Sequence, residues 1–119
     1  MNPHKTILLA VVLLAITVPL ARAQGTYTPF DVPGAITTEG FGINTAGDIV
    51  GRYVDNNSIF HGFLLSGGTY TTIDYPGATV TDLLGMNDLG QIVGGSNASD
   101  GFLYDLATPN FHYHQLSSC

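Results

Sequence analysis

An all-β protein made of two four-stranded, propeller-blade-like repeats is the fold this sequence predicts, and three observations carry that prediction. Sliding the chain against itself gives a gapless match at an offset of 43 residues, with 14 identities in 26 pairs over residues 26–51. Turn-forming clusters recur at intervals of roughly 8–12 residues, with β-branched and aromatic runs between them. No helical periodicity is present after residue 23. A repeat of roughly 40–45 residues punctuated in this way is the pattern of propeller blades or a comparable β-array.

The first segment, residues 1–23, reads as a secretory signal peptide. Lys5 supplies a positive start, Ile7 to Leu20 is apolar apart from Thr17 and Pro19, and Ala21-Arg22-Ala23 places small residues where a signal peptidase reads. The apolar run is shorter than the roughly 18 residues a spanning helix needs. Cleavage after Ala23 is expected, with the exported chain starting at Gln24 and residing in a secreted or periplasmic location without stable membrane insertion. An uncleaved N-terminal anchor is the competing reading.

Residues 24–119 form the β-repeat domain, with repeat 1 at about 26–68 and repeat 2 at about 69–119. Thr26-Tyr27-Thr28-Pro29-Phe30-Asp31-Val32-Pro33-Gly34-Ala35 aligns with Thr69-Tyr70-Thr71-Thr72-Ile73-Asp74-Tyr75-Pro76-Gly77-Ala78. At the same offset, Gly42-Ile43-Asn44 and Gly47-Asp48-Ile49-Val50-Gly51 meet Gly85-Met86-Asn87 and Gly90-Gln91-Ile92-Val93-Gly94. Gly62-Phe63-Leu64 matches Gly101-Phe102-Leu103 at an offset of 39, so the second copy has a shorter loop between its second and third strands. Four strands are predicted in the first unit: Thr37 to Ile43, Asp48 to Val54, Ile59 to Leu65 and Thr69 to Tyr75. The first hairpin turns at Asn44-Thr45-Ala46-Gly47, where Asn opens the turn and Gly supplies positive φ. Asp55-Asn56-Asn57-Ser58, Ser66-Gly67-Gly68 and Pro76-Gly77 punctuate the rest.

Alternation within these strands is weak. Ile49-Val50 and Phe63-Leu64-Leu65 are apolar on both faces, as in a sheet covered on both sides. Gly42, Gly51 and Gly62 recur as Gly85, Gly94 and Gly101 inside strands, where glycine weakens packing. Close backbone approach near a crowded axis and strand-bending bulges both account for them.

Composition removes several function classes. Of 119 residues, 3 are Lys or Arg and 9 are Asp or Glu, a net charge of −6. Lys5 and Arg22 leave with the signal, so Arg52 alone faces nine acids and the exported chain carries −8. Such a chain cannot neutralise phosphates as a nucleic-acid binder must. Cys119 is the one cysteine and has no partner for a disulfide scaffold; it can join two subunits or stay a free thiol.

The motifs Asp31-Val32-Pro33-Gly34-Ala35, Gly42-Ile43-Asn44, Gly47-Asp48-Ile49-Val50-Gly51 and His61-Gly62-Phe63-Leu64 resemble the HAF-type extracellular repeat proteins of bacteria, over residues 26–116. The resemblance implies an exported, propeller-like protein without established catalytic residues. Two departures stand out. The His-Ala-Phe triplet of the family reads His61-Gly62-Phe63 and Asp100-Gly101-Phe102 here, and the chain carries two repeats where members usually carry more.

No catalytic, cofactor or metal site is assigned from sequence, and no Gly-x-Ser-x-Gly elbow or phosphate loop is present. His112 and His114, at i and i+2 of an expected strand, share a face and offer imidazoles to zinc or copper, with His61 or an Asp as third ligand. Their alternative reading is ordinary polar variation. Asp55-Asn56-Asn57, Asn87-Asp88 and Asp100 have calcium-type oxygen donors but lack a full loop pattern, and read more simply as solvated turns. Asn56-Asn57-Ser58 and Asn97-Ala98-Ser99 fit the N-glycosylation pattern. Glu39 and Asp82 occupy one repeat position and are the acids to check for glycoside chemistry, against a solvent-facing reading.

The expected function is a structural or ligand-binding module, not an enzyme, with Tyr27, Tyr53, Tyr70, Tyr75, Tyr104 and Tyr113 available to stack on carbohydrate or protein ligands. A glycan hydrolase is the alternative. Two blades do not close a ring. Three resolutions follow: a homo-oligomer completing a ring, a small sandwich of two sheets, or a fragment of a longer propeller. Thr26 to Val32 repeats the fourth-strand motif ahead of the first full unit, so a terminal strand can complete a neighbour's blade.

Overall fold

The computed structural model describes residues 25–113. The expected signal peptide, His114 and Cys119 lie outside the described residues. Eight strands follow one another: β1 Thr37–Ile43, β2 Ile49–Val54, β3 Phe60–Ser66, β4 Thr69–Ile73, β5 Thr81–Met86, β6 Gln91–Ser96, β7 Ser99–Asp105 and β8 Asn110–Tyr113. They form two antiparallel four-stranded sheets, β1-β2-β3-β4 and β5-β6-β7-β8, each pairing in chain order and neither closed. The expected all-β class is the observed one, and the first four strand boundaries fall within two residues of those read from sequence.

The first hairpin shows why the Gly-Ile-Asn…Gly-x-Ile-Val-Gly motif folds as it does. Asn44 Oδ1 accepts from the Asp48 amide at 2.9 Å, and its Nδ2 donates to Asp48 Oδ2 at 3.0 Å. Asn87 repeats the arrangement with Gln91, at 2.9 Å and 2.8 Å. Gly47 (φ 86°) and Gly90 (φ 80°) then take the left-handed backbone that returns the chain to the ladder. The Pro-Gly turns are repeated too: the Val32 amide donates to Thr38 Oγ1 at 3.1 Å, and the Tyr75 amide donates to the buried Thr81 Oγ1 at 3.0 Å.

Both readings of the strand glycines hold, at different positions. The first strand of each sheet carries a bulge, between Gly40 and Gly42 in β1 and between Leu83 and Gly85 in β5. Close approach governs the neighbouring strands. A Cβ at Gly51 would collide with the Glu39 carbonyl oxygen, and one at Gly94 with that of Asp82.

The sheets pack face to face through Val50, Leu64 and Ile73 on the first and Leu83, Ile92 and Phe102 on the second, with Tyr75 entering from the connection. Burying side chains of this size contributes about 1.5–3 kcal/mol each. Gly62 makes room for Leu83, whose Cγ lies 2.8 Å from where a Cβ would stand. Tyr75 stacks on Phe102 at 5.4 Å, and Phe111 meets both rings edge-on.

The opposite face of the first sheet is partly covered by residues 25–36. Phe30 lies over Gly40, 2.8 Å from its would-be Cβ, and 6.3 Å from the Phe63 ring. Residues 26–30 therefore form no strand although they repeat β4's sequence, because the position beside β3 belongs to β4 itself. The expectation that strands are covered on both faces holds only in part for the first sheet, where Phe41 and Ile43 remain exposed, and fails for the second. The outer face of the second sheet leaves Leu84 and Val93 exposed, because no further sheet among the described residues follows it.

Candidate functional site

The densest chemistry lies along the seam where β5 runs beside β1 and β2. Arg52 on β2 donates from Nε to Glu39 Oε2 on β1 at 2.5 Å, and from Nη1 to Asp82 Oδ1 on β5 at 3.2 Å. Its guanidinium also lies 5.5 Å from the Phe41 ring centroid and 4.9 Å from that of Phe60. The Glu39 hydrogen bond holds the Arg52 pKa above its ordinary value, ahead of the opposing effect of burial and the further support of Asp82. The only lysine or arginine among the described residues thus ties the two sheets together between two acids.

Glu39 and Asp82 are the acids singled out from sequence, and the fold brings them to one place. Their side chains stay 42% and 28% exposed, so they face solvent in part while both bonding Arg52. The guanidinium occupies the ground between them, and what the trio does chemically is clamp β1 to β5.

Other repeat-equivalent positions meet along the same seam. Gly42 backs onto Gly85, so that a Cβ at Gly42 would stand 2.9 Å from the Gly85 Cα. Thr45 donates to Asp88 twice, from its amide at 2.8 Å and from its hydroxyl at 2.7 Å. These two bonds, the amide first, hold the Asp88 carboxyl below the usual range. Three pairs related by the 43-residue offset are therefore in contact or share a partner.

A second polar cluster sits on the first sheet. His61 of β3 lies between two carboxylates, with Nδ1 2.6 Å from Asp74 Oδ2 and Nε2 2.8 Å from Asp55 Oδ2. Tyr53 stacks on the imidazole at 4.9 Å and shares a 2.8 Å hydroxyl hydrogen bond with Thr72. Partial burial works against a charged ring, but the hydrogen bonds and charges of Asp55 and Asp74 outweigh it, so the His61 pKa is raised. Both ring nitrogens are thus within hydrogen-bond reach of a carboxylate, and the ring donates to both acids when it is protonated. Asp55, held low first by His61 and then by the Ile59 amide, ties the β2–β3 loop to this histidine.

The remaining candidates are dispersed. His112 sits on β8 opposite Leu103, in the other sheet from His61. Among the described residues no group of three or more His, Cys, Asp or Glu has metal-holding geometry. The oxygen donors of the proposed calcium loops are engaged in turns: Asp55 Oδ1 accepts from the Asn57 and Ile59 amides, and Asn87 Oδ1 from those of Leu89 and Gln91. Asp100 is exposed on β7. Asn97 is committed to the inter-sheet connection, accepting from the Thr79 and Val80 amides and donating to Thr79 Oγ1, whereas Asn56 is exposed.

Of the tyrosines, Tyr75 and Tyr104 pack against Phe111 and Tyr70 against Phe63, while Tyr27 is 96% exposed. The His61 clamp and the Arg52–aromatic contacts escaped the sequence reading, because neither has a spacing signature. The 43-residue offset did hold the signal for the Asp88 contact, since it places Thr45 and Asp88 at one repeat position. No family model, curated protein or solved structure matches the chain.

Proposed function

We propose that this chain is an exported repeat module whose two sheets are successive propeller-like blades, acting as a structural or ligand-binding unit and not as an enzyme. The observation that carries the reading is the seam. Repeat-equivalent residues Gly42 and Gly85, and Thr45 and Asp88, meet beside β1 and β5, and Glu39 and Asp82 share Arg52. Equivalent positions meet in this way when units are related by rotation about a nearby axis. The resemblance of the Gly-Ile-Asn…Gly-x-Ile-Val-Gly and His61-Gly62-Phe63-Leu64 motifs to HAF-type extracellular repeats supports the same reading, and with it a secreted or periplasmic location. Exposed loops and Tyr27 are the surfaces offered to a carbohydrate or protein ligand.

Glycan and peptide arrays probed with the exported protein, alongside a panel of glycosidase substrates, test the proposal. Binding without turnover is the expected result. Turnover abolished by Glu39→Gln would replace it with the hydrolase reading. Sequencing the N-terminus of the exported chain tests the address, with a start at Gln24 expected.

A further inference from the structure

The two ends of the sheet stack are unlike, and each matches a surface that is buried inside the molecule. On the outer face of the second sheet, Val93 is 52% exposed and Gly85, Met86 at its rim, Asn87, Gln91 and Leu103 line a shallow open concavity of about 370 Å³ with it. The equivalents of Val93 and Leu103 in the first sheet are Val50 and Leu64, which are 0% and 7% exposed because the second sheet covers them. At the other end, Ile43 is 66% exposed. Its equivalent, Met86, packs against the core between the sheets. Ile49 is likewise only partly covered, whereas its equivalent Ile92 is fully buried. Each end is one half of a joint whose complete form the chain already contains, the first sheet's half being the part around Ile43 that Phe30 and its neighbours leave uncovered.

We propose that a second copy of this chain covers the outer face of the second sheet, its β1 edge around Ile43 and Ile49 seated on Gly85, Val93 and Leu103 as β5 and β6 are seated on the first sheet. This rests on the reading of the sheets as successive blades. The contact is heterologous, head to tail, and repeating it by rotation closes a ring. With propellers of typically about four to eight blades, rings of roughly two to four copies follow.

The glycines supply a steric check. In the internal joint, a Cβ at Gly42 would lie 2.9 Å from the Gly85 Cα, too close to be accommodated. At Gly85 itself an added Cβ meets only Val93 Cγ2, at an ordinary 3.5 Å. A methyl at Gly85 is therefore tolerated within one chain but stands where the backbone of the next copy's β1 must pass.

Sedimentation velocity of the full chain, as exported, over a wide concentration range provides the test. The wild type is expected to sediment as an assembly. Val93→Lys, Ile43→Lys and Gly85→Ala are each expected to weaken association by roughly tenfold or more while keeping the wild-type circular dichroism. An equimolar mixture of Val93→Lys and Ile43→Lys chains should restore one intact joint and give a dimer that neither forms alone. A wild type that stays monomeric overturns the proposal, as does an Ile43→Lys chain that still dimerises, which would indicate back-to-back pairing of second sheets. The amide shift of Thr45 followed through the titration of Asp88 separates this from the blade reading. A monomer in which Thr45 still reports Asp88 keeps the blades and loses only the assembly.

Discussion

Replacing Arg52 by Ala removes the one cationic tie between the sheets, and the structure sets the size of the loss. Arg52 is 28% exposed, so its two ion pairs are partly screened and contribute about 0.2–1 kcal/mol each. The guanidinium contacts with Phe41 and Phe60 add about 0.5–1 kcal/mol each. The substitution is therefore expected to cost about 2–3 kcal/mol, a large share of the roughly 5–15 kcal/mol that stabilises a small domain. At about 4–8 °C per kcal/mol for a domain of this length, the thermal midpoint should fall by roughly 10–20 °C. Urea unfolding followed by circular dichroism measures the difference directly. Arg52→Lys should lie between wild type and Arg52→Ala, because lysine keeps the charge but not the fork that reaches Glu39 and Asp82 together. High salt should erase the ion-pair part and leave the aromatic part. A loss below about 0.5 kcal/mol, the level of an ordinary surface substitution, would refute the reasoning and leave the apolar core alone holding the sheets.

Other substitutions probe the remaining elements. Because its folded pKa is raised, His61 stabilises the fold fully below its unfolded value of 6.5, and that contribution is lost as pH rises through the folded value. Asp55, lowered, acts in the opposite sense: its contribution is present above 3.8 and is lost as pH falls through its folded value. Urea midpoints should therefore be highest between about pH 4 and 6.5 and decline above that range, and His61→Gln should flatten the alkaline decline. Gly51→Ala and Gly94→Ala place a Cβ against a backbone carbonyl and should cost about 3 kcal/mol or prevent folding, whereas Gly85→Ala leaves the midpoint of the single chain nearly unchanged. Asn87→Ala removes the acceptor of the Leu89 and Gln91 amides and should cost about 1 kcal/mol in the same assay.

What was legible in the sequence was what depends on neighbours along the chain. Asn44 and Gly47 define a hairpin through hydrogen bonds and φ angles confined to five residues, so the first strands were placed closely. The repeat carried that reading into the second sheet. Contacts between elements were less accessible. Glu39 and Asp82 were paired by repeat position alone, and nothing local indicated that Arg52 would stand between them. His61 gave no signal, because Asp55 and Asp74 reach it from a loop and from the residue after β4, at unrelated spacings. Coverage of the second sheet was misjudged because Val93 carries the same residue type as Val50, and the difference between them is only what lies on top.

The strictly sequential pairing of strands has a kinetic consequence. Every ladder joins consecutive strands, and the widest pairing within a ladder, Thr37 with Val54, closes a short loop. Folding rates rise as contacts become more local, since less chain entropy is lost before a contact forms. Each sheet can zip from its Asn-capped hairpin outward without waiting for the other. The slower event is then the docking of two preformed meanders, when Leu83 enters the space above Gly62 and Arg52 reaches Asp82. Core substitutions within one sheet should slow its own zipping, while changes at Arg52 or Leu83 should mainly speed the separation of the sheets.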